Sequence, residues 1–263
     1  MISSQARAEK VSSVSTSAQA PVSISVIVPA LNEESNLEGA MASIVSALQA
    51  TGSDWEIILI NDGSHDQTPA IAQKWAQGDA RIRVIHHEKP MGVGCSYWDG
   101  VRSATKASIT WFPGDGENDP RELLKYLPLL EHVDIVVSFV LNTGVRSWGR
   151  RLLSTLYLWI INLSFGTMFN YTNGNSIYRR QVLEKIQPSS DGFFFQAECL
   201  VKAIRMGFVF AEVPVQLQAR GGGRSKATSF RSLCAVTRDF LRLFAAVHIR
   251  RTAGRVPDRL RSS

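Results

Sequence analysis

From residue 23 onward, short β-branched apolar runs alternate with segments whose apolar residues recur at helical spacing, and this alternation is the strongest constraint on the fold. The run SISVIVPA (23–30) breaks at Pro29, as a buried parallel strand does at its end. Leu37, Met41, Ile44, Val45 and Leu48 then place one apolar face on a helix that runs to Gln49. Strands over 55–60, 82–86 and 108–112, with helices over 68–77 and 96–105, continue the pattern. Alternation of this kind predicts an α/β fold built on a mostly parallel sheet with right-handed crossovers. In such sheets ligands bind outside the carboxyl ends of the strands. Those ends carry Asn32 and Glu33, then Asn61 and Asp62, then Asp115 and Glu117, so three acidic clusters are expected on one edge.

Beyond Pro120 the pattern predicts a helix over 121–130, a strand over 133–139 and a helix over 195–206. The stretch LLSTLYLWIINLSFGTMF (152–169) is nearly uncharged, but Ser154, Thr155, Asn162, Ser164, Gly166 and Thr167 interrupt it. A membrane span needs about 20 predominantly apolar residues, so an interfacial or buried helix pair is expected instead. Hydrophobic residues make up 44% of the chain against 20% charged, with mean hydropathy −0.03, which excludes a disordered or collagen-like chain. Residues 1–21 are Ser- and Ala-rich without an apolar run and read as a disordered tail. One domain over 22–229 follows, and 230–263 reads as a basic amphipathic helix and tail.

The net charge of +6 is unevenly distributed: from Arg220 onward there are 11 Lys and Arg against Asp239 and Asp258. A near-neutral body with a basic end points to an anionic partner such as a membrane surface or a phosphate. The basic segment lacks the interleaved aromatics of a nucleic-acid platform, so no nucleic-acid partner is expected. In the terminal helix, Phe230, Leu233, Phe240, Phe244 and Val247 fall on one side and Arg231, Arg238 and Arg242 on another. That helix either packs on the domain with its charged face in water or lies on anionic lipid. Cys95, Cys199 and Cys234 are odd in number and far apart, which supports no disulfide framework and fits a reducing cytoplasmic setting.

Several residues are suited to chemistry. Asp115 and Glu117 stand two apart in a Pro/Gly-rich turn directly after a strand, and their hard oxygens suit Mg²⁺ or Mn²⁺. Solvated acidic turns look the same. Asp62 can either support the following helix or accept from a nucleobase N–H, with Asp66 the better-placed cap. Gly92-Val93-Gly94 lacks the third glycine of a dinucleotide fingerprint and does not follow the first strand, so a nicotinamide site is excluded. GGGRSK (221–226) is no P-loop, but Arg224, Ser225 and Lys226 in a glycine-rich loop can grip a phosphate.

The order of the motifs is more informative than any one of them. VIVPALNEESN, LINDGSHDQT, GVGCSYWDGVRSATKASITWFPGDGENDP, NGNSIYRRQVLEKI, FFFQAECLVKAIRMGFVFAEVPV and RGGGRSK follow one another between about residues 23 and 231. This series resembles the family 2 glycosyltransferases, and within them the polyprenyl-phosphate (dolichyl-phosphate) mannosyl- and glucosyltransferase group.

The resemblance implies a GT-A fold with a Rossmann-like nucleotide half. It also implies inverting transfer of a hexose from a UDP- or GDP-sugar to a polyprenyl phosphate, at the cytoplasmic face of a membrane that the enzyme touches peripherally. By the same resemblance Pro29, Asn32 and Glu33 line the nucleotide pocket and Asp62 touches the base. Asp115 holds the metal that bridges the diphosphate, with Glu117 at the position of a further ligand. Gln196 and Glu198 face the donor sugar or the acceptor, and Arg220, Arg224, Ser225 and Lys226 bind phosphate. Two departures stand out. Pro113 occupies the place of the first Asp in the usual Asp-x-Asp, and Phe139 matches where the lipid-phosphate group carries Gly-Ser-Arg, leaving Arg146, Arg150 or Arg151 to supply that charge. A hydroxyl acceptor would need a general base, for which Glu198 and Asp119 are the candidates.

Overall fold

The computed structural model describes residues 22–141, 148–216 and 230–249. Four strands, β1 (Ile24–Ala30), β2 (Trp55–Asn61), β3 (Ile82–His86) and β4 (Ser108–Trp111), are parallel and occupy the order β3-β2-β1-β4. Every residue of β1 and β2 is buried, as the continuous apolar runs require for strands covered on both faces. Alternation along β1 divides the core: Val26 and Val28 pack beneath α1 (Leu37–Thr51), while Ile27 faces α3 (Val93–Ser103). The helix α2 (Thr68–Gly78) completes the first half.

The sheet then continues with β6 (Ser176–Arg179), β5 (Ile135–Val140) and β7 (Phe210–Val215). β6 is antiparallel to both of its neighbours, and β5 and β7 are parallel. The chain therefore enters β6 at the carboxyl edge of β4, which brings residues 173–175 to the edge where the acidic clusters lie. Asn175 Nδ2 fixes this entry by donating to the Trp111 carbonyl. Pro214 sits within β7, a position tolerated because β7 is the sheet's edge.

Three sequence expectations need correction. The helix over 121–130 is instead the short α4 (Pro120–Leu124) followed by a 3-10 turn over Leu127–Glu131. Pro128 breaks it, since a proline there has no N–H to continue the ladder and crowds the preceding turn. The helix pair over 152–169 is one helix, α5 (Trp148–Phe165), ended by Gly166 at φ 65°. In α8 (Phe230–His248) the buried face centres on Asp239, Leu243 and Val247 with Phe240 packed alongside, whereas Leu233 is exposed. Around these stand α6 (Arg180–Lys185) and α7 (Phe195–Arg205), which starts two residues after the exposed Phe193 with Phe194 and Phe195 in the core.

At the opposite, amino edge of the sheet Glu56 is nearly buried and accepts from the Ser25 hydroxyl, the Thr105 N–H and hydroxyl, and Arg83. Burial alone would raise its carboxyl, but the Ser25 and Thr105 donors outweigh that and hold it below the ordinary range.

Candidate active site

The strand order reverses between β1 and β4, and the loops leaving these strands and β2 form the carboxyl edge. The β1–α1 and β2–α2 loops are interlocked through reciprocal hydrogen bonds. Asn32, the single non-glycine residue at positive φ (53°) among those described, accepts from the His65 N–H at 2.9 Å, and its own N–H donates to Ser64 Oγ at 3.0 Å. Glu33 and Glu34 donate their N–H groups to Thr68 Oγ1 and Asp66 Oδ2, and Glu34 Oε2 accepts from the Gln67 N–H. Asp66 Oδ1 also accepts from the Thr68 N–H at 2.9 Å, so Asp66 holds the first N–H of α2 from one residue ahead of the cap position, which is Gln67. Burial alone would raise the Asp66 carboxyl, and the Thr68 donors pull it below its usual range.

Asp62 is 4% exposed. Its Oδ1 accepts from the Met91 N–H and pairs with His87 Nδ1, both at 2.7 Å, and Oδ2 accepts from the Gly92 N–H at 3.0 Å. It thus ties the end of β2 to the segment that leads into α3. Gly63, at φ 68°, lies so close to this segment that a Cβ would meet the Lys89 carbonyl carbon at 2.5 Å and the Pro90 nitrogen at 2.6 Å. Only glycine allows both the left-handed backbone and this approach.

After β4, Asp115 and Glu117 flank Gly116 at φ 71°, and Asp115 Oδ1 accepts from the Glu117 N–H at 3.0 Å. Both side chains are partly exposed on the carboxyl edge. Among the described residues no three His, Cys, Asp or Glu side chains gather into a metal site. Two hard carboxylates in a turn still fit a divalent cation of the Mg²⁺ class, which takes one or two protein carboxylates and fills its remaining positions with phosphate oxygens and water. Pro29 and Ala30 lead into this edge, where Gly114 N–H donates to the Pro29 carbonyl.

Gln196 and Glu198 open α7 but differ in setting. Gln196 sets its side-chain amide against the carbonyls of Gly174 and Asn173, and oriented with its nitrogen toward them it donates at 3.0 Å and 3.1 Å and holds the entry to β6. Glu198 is 1% exposed and is enclosed by the Ser189 hydroxyl, the Ser190 N–H and the Lys202 ammonium. Lys202, itself 7% exposed, also donates to the Gln187 carbonyl. Glu198 is therefore paired with Lys202, one turn along its own helix. Asp119 accepts from the Arg121 N–H as the cap of α4. Arg220, Arg224, Ser225, Lys226 and Arg146 lie outside the described residues, and Arg151 is exposed at the start of α5.

Sequence reasoning did not find His87, Asp99 or the Asp191 carbonyl, which accepts from the Gly94 N–H at the first turn of α3. The only available signal for His87 was its place immediately after a strand end.

Residues 25–187 match the glycosyl transferase family 2 domain. The chain belongs to that family. This family 2 glycosyltransferase is 31% identical over 217 residues to the polyprenol monophosphomannose synthase of Mycolicibacterium smegmatis, covering 76% of this chain and 79% of that protein. It is 28% identical over 212 residues to glycosyltransferase AglD of Haloferax volcanii, covering 77% of this chain and only 34% of that one. Among solved structures, the glucosyl-3-phosphoglycerate synthase of Mycobacterium tuberculosis with Mn²⁺, UDP and phosphoglyceric acid superimposes with TM-score 0.62 at 24% identity, over 92% of this chain and 82% of that one. The fold is thus the GT-A arrangement of family 2 glycosyltransferases.

Proposed function

We propose that this glycosyltransferase moves a hexose from a UDP- or GDP-sugar to a polyprenyl phosphate, with inversion and with the help of Mg²⁺ or Mn²⁺. The observation that carries the reading is the Asp115-Gly116-Glu117 turn beside β1, where the strand order reverses and an α/β sheet receives its ligand. Pro29, Asn32 and Glu33 line the donor's nucleotide in this reading. Asp62 has one lone pair of Oδ2 left for a base N–H after its bond to Gly92. Asp115 and Glu117 would hold the cation, which when bound neutralises charge developing on the departing nucleoside diphosphate. Gln196 holds the Asn173–Gly174 turn beside the sugar, and Arg220, Arg224, Ser225 and Lys226 grip phosphate.

The acceptor follows from two supports. One relative is named a polyprenol monophosphomannose synthase. The other is that both candidate general bases are engaged elsewhere, Glu198 with Lys202 and Asp119 at the α4 cap. A phosphate acceptor is already anionic at neutral pH and needs no strong base, whereas a hydroxyl does. The reading is tested with labelled UDP- and GDP-sugars, Mg²⁺ or Mn²⁺ and a polyprenyl phosphate. Organic-extractable label is expected from one donor class. Label appearing only with hydroxyl acceptors, or donor binding with no turnover on any acceptor, would replace it with a hydroxyl-directed transferase or a non-catalytic nucleotide-sugar binder.

Membrane contact is part of this proposal. No described helix is long and apolar enough to cross a bilayer. On α5, Ile161 and Phe165 are buried, while Leu152, Leu153, Leu156, Trp159, Ile160 and Leu163 form a second, exposed stripe. Phe165 stacks among Phe240, Phe244 and His248, so α5 and α8 act as one two-helix face that also carries exposed Leu241, Arg238 and Arg242. Exposed apolar side chains on one helix and arginines on the helix packed against it suit the cytoplasmic, anionic surface of a bilayer. Trp159 and Leu163 are 70% and 85% exposed, so replacing both with Glu leaves the core untouched. Binding to phosphatidylglycerol vesicles is expected to weaken by about tenfold or more, read by co-sedimentation. Unchanged partitioning would remove this face from the contact.

A further inference from the structure

His87 is placed between two carboxylates. Its Nδ1 lies 2.7 Å from Asp62 Oδ1 and its Nε2 lies 3.0 Å from Asp99 Oδ2, with the side chain 10% exposed. A carboxylate can only accept, and a neutral imidazole carries only one N–H. Satisfying both contacts therefore requires both ring nitrogens to donate, which only the imidazolium does. Asp99 is ionised in this arrangement: burial alone would raise it, but Arg102 above all, then Cys95 and His87, hold it below the ordinary carboxylate range. The neighbouring His86 has a different role, with its Nδ1 meeting the Asn61 side-chain amide, a donor, at 3.1 Å.

We propose that His87 is a positioning residue whose imidazolium clamps Asp62 to α3 and so holds the segment from Lys89 to Gly92 in the shape that receives the donor's base. The proposal rests on the reading of this edge as the nucleotide pocket. The clamp works because Asp62 has three donors from one segment: His87 at its start, then the N–H groups of Met91 and Gly92. With the imidazolium gone, either Asp62 or Asp99 faces a bare ring nitrogen, and two carboxylates repel across the ring. The charged groups facing this cluster are Asp62 from the end of β2, and Asp99 and Arg102 from α3. Cys95 on α3 donates to Asp99, with its thiol pushed up first by burial and then by Asp99 and by Asp191 from the segment before α7. Glu88 and Lys89 flank the ring in the chain and are exposed.

Asp99→Asn tests the clamp. An asparagine at this position keeps an oxygen for Arg102 and offers an N–H to a deprotonated Nε2, so a neutral imidazole with Nδ1–H satisfies both of its contacts, at the loss only of the weak Cys95 thiol bond to Oδ2. Binding of UDP and GDP, each with Mg²⁺, is measured by calorimetry at pH steps from acid to alkaline for the wild type and the variant. Wild-type affinity for the nucleotide that binds is expected to fall about tenfold or more as His87 loses its proton, while the affinity of the Asp99→Asn variant stays flat. The same fall in both proteins, or none in the wild type, overturns the proposal. Nitrogen-15 spectra of the ligand-free wild type separate this from failure of the nucleotide reading. They are expected to show His87 with both N–H groups, and the Met91 and Gly92 amide shifts moving together with its titration. A singly protonated His87 at neutral pH overturns the clamp whatever binds. Absence of nucleotide binding at every pH, with the doubly protonated ring present, overturns the donor reading and the clamp's role in it, and leaves the imidazolium bridge only as a structural tie.

Discussion

Asp115→Asn is expected to lower kcat/KM by about 10²- to 10⁴-fold while leaving the melting temperature essentially where it was. The two effects separate because Asn keeps the oxygen that accepts the Glu117 N–H, so the turn retains its hydrogen bond. What is lost is one of the two carboxylates that the proposed site offers a cation. The loss should be partly relieved by raising Mn²⁺ and not by raising the nucleotide sugar. Glu117→Gln should cost less, about tenfold, since phosphate oxygens can take over its coordination position. A variant at position 115 that keeps more than half of wild-type turnover at ordinary metal concentration would sink the assignment of the cation to this turn.

Glu198→Ala is expected to destabilise the fold by about 3–5 kcal/mol, lowering the melting temperature by about 10 °C or more. The removed carboxylate is the counter-charge of Lys202, which is 7% exposed and would keep only the Gln187 carbonyl. The Ser189 hydroxyl and Ser190 N–H would lose their acceptor at the same time. Ser190 Oγ also donates to Asp239 Oδ2 at 2.9 Å, so the damage should spread to α8. Thermal unfolding followed by circular dichroism measures this. The double change Glu198→Gln with Lys202→Met removes the buried charge and should recover most of the stability. If Glu198 acts through structure, activity returns with stability. If it is a base for a hydroxyl acceptor, stability returns and activity does not, which would redirect the acceptor proposal.

The parts of this architecture legible in the chain were those written by local physics. Strands β1 to β4 are apolar runs bounded by breakers, and the carboxyl-edge rule alone then places the loops of Asn32, Asp62 and Asp115 on one edge. β6 was invisible because it is four residues long and lies inside NGNSIYRR, whose polar ends outweigh its apolar centre. Its antiparallel placement depends on partners far away in the chain, Ile109 and Val136 among its neighbours. Over 121–130 the helical periodicity is outweighed by Pro128, which confines α4 to Pro120–Leu124. At the site, residue types named Asp62, but its partners were beyond reach of pattern. Met91 and Gly92 contribute backbone N–H groups, which no side-chain type announces, and Gly92 is glycine for a different reason: its φ of 98° and the Asp191 carbonyl, which a Cβ would meet at 2.7 Å. Glu198 shows the reverse limit: helical spacing offers Lys202 or Arg205 as its partner, but nothing in the pattern announces the Ser189 hydroxyl and Ser190 N–H that close around it.

The reciprocal bonds between the β1–α1 and β2–α2 loops have a consequence for engineering. Asn32 and Glu34 are satisfied by Ser64, His65, Asp66 and Gln67, and the reverse also holds. Neither loop carries its shape alone, so the pair is the smallest portable cassette. A graft of residues 31–36 from another transferase would arrive without its counterpart and leave donors and acceptors unmatched on both sides. Recombination between relatives should therefore tolerate crossover points within α1 poorly and beyond α2 well, and libraries aimed at donor choice should vary the two loops as one block.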